Sequence, residues 1–145
     1  MIGVVVVTHC RLAEELIAAA EFIVGRLKGF EGVSIGKTSQ PDEIREQIAA
    51  AIRKVDTGSG VLILTDMFGG TPSTISFSFL HDNRIEVVTG VNLPMLLKLS
   101  TYEGEMSLGK MAEFIRSYGQ KNINIASEIL KKGAKQEQEW KNGDS

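Results

Sequence analysis

VVVVTHCRLAEEL, residues 4–16, decides the fold. Four consecutive valines carry no polar alternation, which predicts a strand buried on both faces, the habit of a parallel sheet. The strand ends in Thr8, His9 and Cys10, and an amphipathic pattern begins at once. A strand that runs straight into a helix is the first half of a β-α-β unit. It leaves one of the chain's two histidines at the point where the sheet gives way to the turn.

The pattern outward from this stretch repeats the unit. Arg11 to Lys28 places Leu12, Leu16, Ala20, Ile23 and Leu27 on one helical face, with Gly29 and Gly32 as its stop. Val33 and Ile35 mark a second strand. Ser39-Gln40-Pro41-Asp42 predicts a helix start with Ser39 as N-cap and Pro41 in the first turn. Ile44, Ile48, Ala51, Ile52 and Val55 form its buried face. Val61 to Leu64 is a third strand that ends at Thr65 and Asp66, followed by a Gly-rich turn and a helix from Pro72 to about Leu80. Ile85 to Thr89 is a fourth strand, and Asn92–Leu99 and Ser107–Tyr118 read as helices. The fold class is therefore α/β, a mostly parallel open sheet with helices on both faces. Asn122 to Ala126, NINIA, alternates polar and apolar residues, as a half-exposed edge strand would. Residues 1–130 make one domain, and the polar stretch 131–145 reads as a frayed tail.

Composition narrows the function. A chain of 145 residues with 43% apolar and 23% charged residues fits one globular domain. The net charge of −2 gives no field for nucleic acid or a membrane surface, and no basic stripe interleaves with aromatics. One cysteine makes no internal disulfide, and the N-terminal apolar run is too short for a membrane span and lacks a signal peptide's basic flank. A cytoplasmic protein is the expectation.

In open α/β sheets, ligands bind beyond the carboxyl ends of the strands, where the strand order reverses. Two such ends carry reactive groups here: Thr8-His9-Cys10, and Thr65-Asp66 with Met67-Phe68-Gly69-Gly70-Thr71-Pro72 behind it. If the first and third strands are neighbours, His9 and Asp66 meet. A carboxylate on one ring nitrogen fixes the tautomer and leaves the other nitrogen a free lone pair. Gly69 and Gly70 let the backbone approach a ligand, Thr71 can cap the next helix, and that helix start favours an anion. A nucleophilic imidazole beside a phosphate cradle points to a phosphohistidine, with His9 and Asp66 catalytic and Gly69, Gly70 and Thr71 binding phosphate. His81, in the turn HDNR, reads as a solvated loop residue. One cysteine and two histidines leave a closed zinc site without ligands, so no metal is expected.

Taken together, VVVVTH with its AEEL helix, GVLILTDMFGGTPSTIS and GVNLPMLLKL resemble the enzyme IIA domain of the mannose-type sugar phosphotransferase system. The likeness runs from Met1 to about residue 127. It implies a homodimer in which a late antiparallel edge strand is exchanged between subunits, NINIA being the candidate. It implies that His9 takes a phosphoryl group from the histidine-containing phosphocarrier protein and passes it to a IIB partner, with membrane IIC and IID components further along and no cofactor. Asp66 matches the aspartate that bonds the histidine, and Thr71 the hydroxyl of the Gly-Gly-Ser/Thr-Pro motif. Two positions depart from the pattern. Cys10 stands where the family often has Gly, and Phe68 where it often has Trp.

Other classes compete. An aspartate-phosphorylated receiver domain also ends its third strand in an acidic residue, but needs an acidic pair after the first strand to hold magnesium, and Thr8-His9-Cys10 supplies none. A flavodoxin-like protein needs a Ser/Thr/Gly-rich loop where HCRLAEE stands. A regulatory phosphohistidine module would use the same His9 chemistry without moving a sugar.

Overall fold

A computed structural model describes residues 1–143. The chain alternates strand and helix through β1 (Gly3–His9), α1 (Leu12–Val24), β2 (Phe30–Ile35), α2 (Pro41–Val55), β3 (Val61–Thr65), α3 (Thr71–Phe77) and β4 (Ile85–Thr89). Three helices follow: α4 (Leu93–Thr101), α5 (Leu108–Lys121) and α6 (Ala126–Gly143). The four strands are all parallel in the order β2-β1-β3-β4. β1 and β3 are therefore neighbours, with Val7 opposite Thr65, and strand order reverses between them.

The valine run explains the layers. Val4 and Val6 enter one core with Ala13, Leu62, Leu64, Leu96 and Ile115, under α1, α4 and α5. Val5 and Val7 enter the other with Ile44, Ile48, Ile63 and Ile75, under α2 and α3. All four are at most 2% exposed, so each contributes roughly 1.5–3 kcal/mol of burial. That holds the strand ending in His9 rigidly in the centre of the sheet. The buried side chains of α2 are Ile44, Ile48, Ala51, Ile52 and Val55, the face read from the sequence.

Several boundaries differ from the sequence reading, each for a local reason. α1 stops at Val24, not Lys28, because Gly25 turns out of the helix at φ 88 while its N–H still bonds Glu21 O. Leu27 packs on the core from outside the helix. Gln40, not Ser39, is the N-cap of α2, because the Ser39 hydroxyl instead accepts the Gly36 N–H at 3.1 Å. Gly70, not Thr71, is the N-cap of α3. Asn92 and Ser107 are caps, accepting the N–H groups of Met95 and Lys110.

The late antiparallel edge strand is not formed. Among the described residues the sheet has four strands, and Asn122–Ile125 joins α5 to α6 without strand pairing. A strand exists only against a neighbour, and here Ile123 and Ile125 project outward, 76% and 65% exposed. The Asn122 side chain instead donates to Tyr118 O at 2.8 Å and closes α5. The expected frayed tail is helical through Gly143, because Ala, Glu, Leu, Lys and Gln are strong helix formers whatever their polarity. Asp144 and Ser145 of that tail lie outside the described residues.

Candidate functional site

The site lies at the carboxyl edge of the sheet, at the reversal between β1 and β3. Thr8 shapes the turn that delivers His9. Its buried hydroxyl accepts the Ala13 N–H at 2.7 Å, tying the end of β1 to the first turn of α1. Cys10 then takes φ 51, a left-handed conformation, with its N–H on Ile35 O at 2.7 Å. A Cβ in that region costs about 1 kcal/mol, so a residue without one fits best there. The cysteine side chain is exposed.

Asp66 grips the histidine twice with one oxygen. Its Oδ2 accepts the His9 backbone N–H at 3.0 Å and lies 2.8 Å from His9 Nδ1. The carboxyl side chain is 12% exposed and the imidazole 46%. Burial is the largest single influence on Asp66 and disfavours its charge. The His9 backbone N–H, the ring hydrogen bond, the attraction of the ring and Asp66's own N–H act the other way and prevail, so the pKa falls below its ordinary 3.8. An ionised carboxylate only accepts, so Nδ1 carries a hydrogen toward Oδ2, and in the neutral ring that tautomer puts the lone pair on Nε2.

Gly70 closes the other side of the ring. It sits at φ 91, and a Cβ there would come within 2.9 Å of His9 Cε1 and 3.0 Å of Nε2. Only glycine brings the backbone of the β3–α3 turn this close to the imidazole. Gly69 has no such constraint, since its nearest neighbour in that direction is Met67 Cε at 3.7 Å. Thr71 is the first residue of α3, with Pro72 behind it. The first N–H groups of a helix lack partners within it, and the Gly70 N-cap of this one stands beside the His9 ring.

A polarised, singly oriented imidazole with an anion-favouring turn at its free nitrogen can take up a group by nucleophilic attack. The family model described as the PTS system fructose IIA component, PTS being the sugar phosphotransferase system, matches residues 3–116. The chain belongs to this mannose-type IIA family. It is 28% identical over 133 residues to the PTS system fructose-specific EIIA component of Bacillus subtilis, covering 91% of each chain. It is 33% identical over 98 residues to the PTS system mannose-specific EIIAB component of Escherichia coli K12, covering 67% of this chain and 30% of that one. The mannose/sorbose specific IIA subunit from Enterococcus faecalis has the same fold, with a TM-score of 0.77 and 25% identity over 86% of this chain and 93% of that one. As a IIA component, the chain is a phosphotransferase with a phosphoryl-carrier role in a sugar phosphotransferase system.

Within this IIA chain, the structure brings together His9, Asp66 and Gly70, the first from the end of β1 and the other two from the loop that follows β3. His81 lies at the amino end of β4, at the other edge of the sheet, where its backbone bridges Ile85. Sequence reasoning missed Thr65 and Ser73. Both are fully buried, and their hydroxyls lie 2.7 Å apart under the loop that carries Asp66. The signal was a hydroxyl at the end of an otherwise apolar run, with another eight residues on. No helix is long and apolar enough to cross a membrane among the described residues.

Proposed function

We propose that His9 is the phosphoryl acceptor, taking the group from the histidine-containing phosphocarrier protein and passing it to a IIB partner that serves membrane IIC and IID components in the cytoplasm. The observation that carries this reading is the single orientation of the ring. Nδ1 is held on Asp66 Oδ2 at 2.8 Å, and Nε2 is left free beside the Gly70 backbone.

The neutral imidazole attacks phosphorus through Nε2, in line with the donor's P–N bond. The Nε2–P bond forms as that bond breaks, and its electron pair stays on the donor nitrogen. The positive charge of the donor phosphoimidazolium moves to the His9 ring, where Asp66 stabilises it through Nδ1–H. Gly69, Gly70 and Thr71 hold the phosphoryl oxygens with backbone N–H groups and the Thr71 hydroxyl. Such transfer has a loose transition state, so positioning and electrostatics are the main contributions. Leaving and attacking groups are both imidazoles, so the step is close to balanced and reversible. Residues 1–130 carry this chemistry. A homodimer would cover the apolar Ile123, Ile125, Ile129 and Leu130, each more than half exposed in the single chain.

The test is incubation with phosphorylated phosphocarrier protein. An acid-labile, base-stable phosphate should appear on His9 and then pass to a IIB protein. Label retained by His9→Ala would remove His9 from this role.

A further inference from the structure

Asp66 and Gly70 meet His9 from the two ends of one short loop, so the loop's shape sets the site. Two hydroxyls hold that shape from beneath. The Ser73 hydroxyl donates to the Met67 carbonyl, immediately after Asp66. Its oxygen lies 2.7 Å from that of Thr65, whose hydroxyl is a longer 3.4 Å from the same carbonyl, so with the Ser73 hydrogen on Met67 the Thr65 hydroxyl donates to Ser73. Thr65 lies at the end of β3, where its carbonyl also accepts the N–H groups of Gly90 and Val91, both at 2.9 Å. The relay thus joins three parts: the last residue of β3, the carbonyl after Asp66, and the first turn of α3. Further along, the Thr74 hydroxyl and N–H both donate to the Gly70 carbonyl, at 3.0 and 3.1 Å. The loop is pinned at both ends, and Phe68 and Gly69 span the gap between the pins.

We propose that Ser73, relayed by Thr65, is a positioning residue for phosphoryl transfer at His9. It acts through the Met67 carbonyl on Asp66 and through α3 on Gly70. The inference rests on His9 being the phosphoryl acceptor. Neither hydroxyl reaches the ring. Both are at 0% exposure, so neither binds a partner or the phosphoryl group directly. A buried hydroxyl pair is retained against a desolvation cost only while each member has a partner, and the Met67 carbonyl is the group that completes this one. An apolar pair of the same shape would fill the space and leave that carbonyl untethered. The loop would then be free to shift against β3, and with it the carboxylate that selects the tautomer and the glycine that abuts the ring. In-line transfer falls steeply with sub-ångström misplacement.

The experiment compares Ser73→Ala, Thr65→Val and Thr65→Ser with the parent chain. Thermal unfolding establishes that each is folded. Single-turnover labelling by phosphorylated phosphocarrier protein gives the transfer rate at saturating donor and the donor concentration at half rate. Nitrogen-15 NMR of the His9 ring reports the tautomer without any donor. Ser73→Ala and Thr65→Val should lower the saturating rate by about tenfold, with the half-rate concentration within about twofold. Their ring shifts should move toward a tautomer mixture, and Thr65→Ser should restore both readouts. Folded Ser73→Ala and Thr65→Val with parental rate and parental ring shifts would overturn the proposal. If the parent chain takes no label, the functional reading fails and the ring shifts decide the positioning alone. If Ser73→Ala does not fold, the Thr65→Val and Thr65→Ser pair decides it in the same way.

Discussion

Replacing Gly70 by alanine perturbs the tightest contact of the site, and its effects can be worked from the geometry. Two penalties arise together. At φ 91 and ψ 169 the residue occupies a region open to glycine alone, so a Cβ costs about 1–3 kcal/mol of backbone strain. That should lower the melting temperature by roughly 3–9 °C, at about 3 °C per kcal/mol for a chain of this size. The new methyl would also lie 2.9 Å from His9 Cε1, about half an ångström inside ordinary contact. The ring can yield only by drawing Nδ1 off Asp66 Oδ2, now at 2.8 Å, or by swinging Nε2 away from its line of attack. Either displacement should slow labelling of His9 by about 10–100-fold. The assay is single-turnover transfer from phosphorylated phosphocarrier protein, with thermal unfolding alongside. Gly109→Ala, in α5 away from the site, is the internal control. Its Cβ meets nothing within 4 Å, so the rate should stay within about twofold and stability within about 1 kcal/mol. A Gly70→Ala chain that transfers at the parental rate, or a Gly109→Ala chain damaged equally, would refute the reasoning.

Asp66→Asn removes a charge-assisted bond of about 1.5–3 kcal/mol, so transfer should slow by roughly 10–150-fold while the fold persists. An unchanged rate in the labelling assay would take Asp66 out of the mechanism. Cys10→Gly removes a side chain from a left-handed position and should stabilise the chain by about 0.5–1 kcal/mol in a urea titration. A loss of stability there would mean the thiol makes a contact of greater value. The folded-state pKa of Asp66 lies below 3.8, so its unfolded form binds protons first as the pH falls. Its contribution to stability is therefore fully present above the unfolded value of about 3.9 and is lost as the pH drops through the lower folded value. A carboxyl carbon-13 titration with a midpoint above 3.8 would contradict this.

The elements that build the sheet were legible because burial on both faces leaves an unmistakable pattern. VVVV and VLIL read as central strands, and the buried face of α2 is visible in the spacing of its isoleucines. The pairing of His9 with Asp66 was legible as well, once parallel strands made the two carboxyl ends adjacent. What escaped depended on competition between partners. Ser39 looks like an N-cap until the Gly36 N–H claims its hydroxyl. NINIA has the alternation of a strand, but alternation says only which residues share a face. It does not supply an edge to pair with, and in the single chain Asn122 to Ile125 meets none. Thr65 and Ser73 escaped because a hydroxyl at the end of an apolar run marks a polar group without naming its acceptor. Cys10 is intelligible only through its backbone, since a positive φ leaves no mark in the letters.

The two bonds to Asp66 Oδ2 have a consequence for observation. One oxygen serves both the imidazole and the main-chain amide of the same residue, so the two compete for its electron density. When the ring gains positive charge, its hold on the oxygen tightens and the amide's share weakens. The His9 amide proton should therefore move upfield on phosphorylation, in step with the ring nitrogens. Under the proposed role of His9, that amide would gauge the loading of the site from the end of β1, readable in a simple amide spectrum without label on the phosphate.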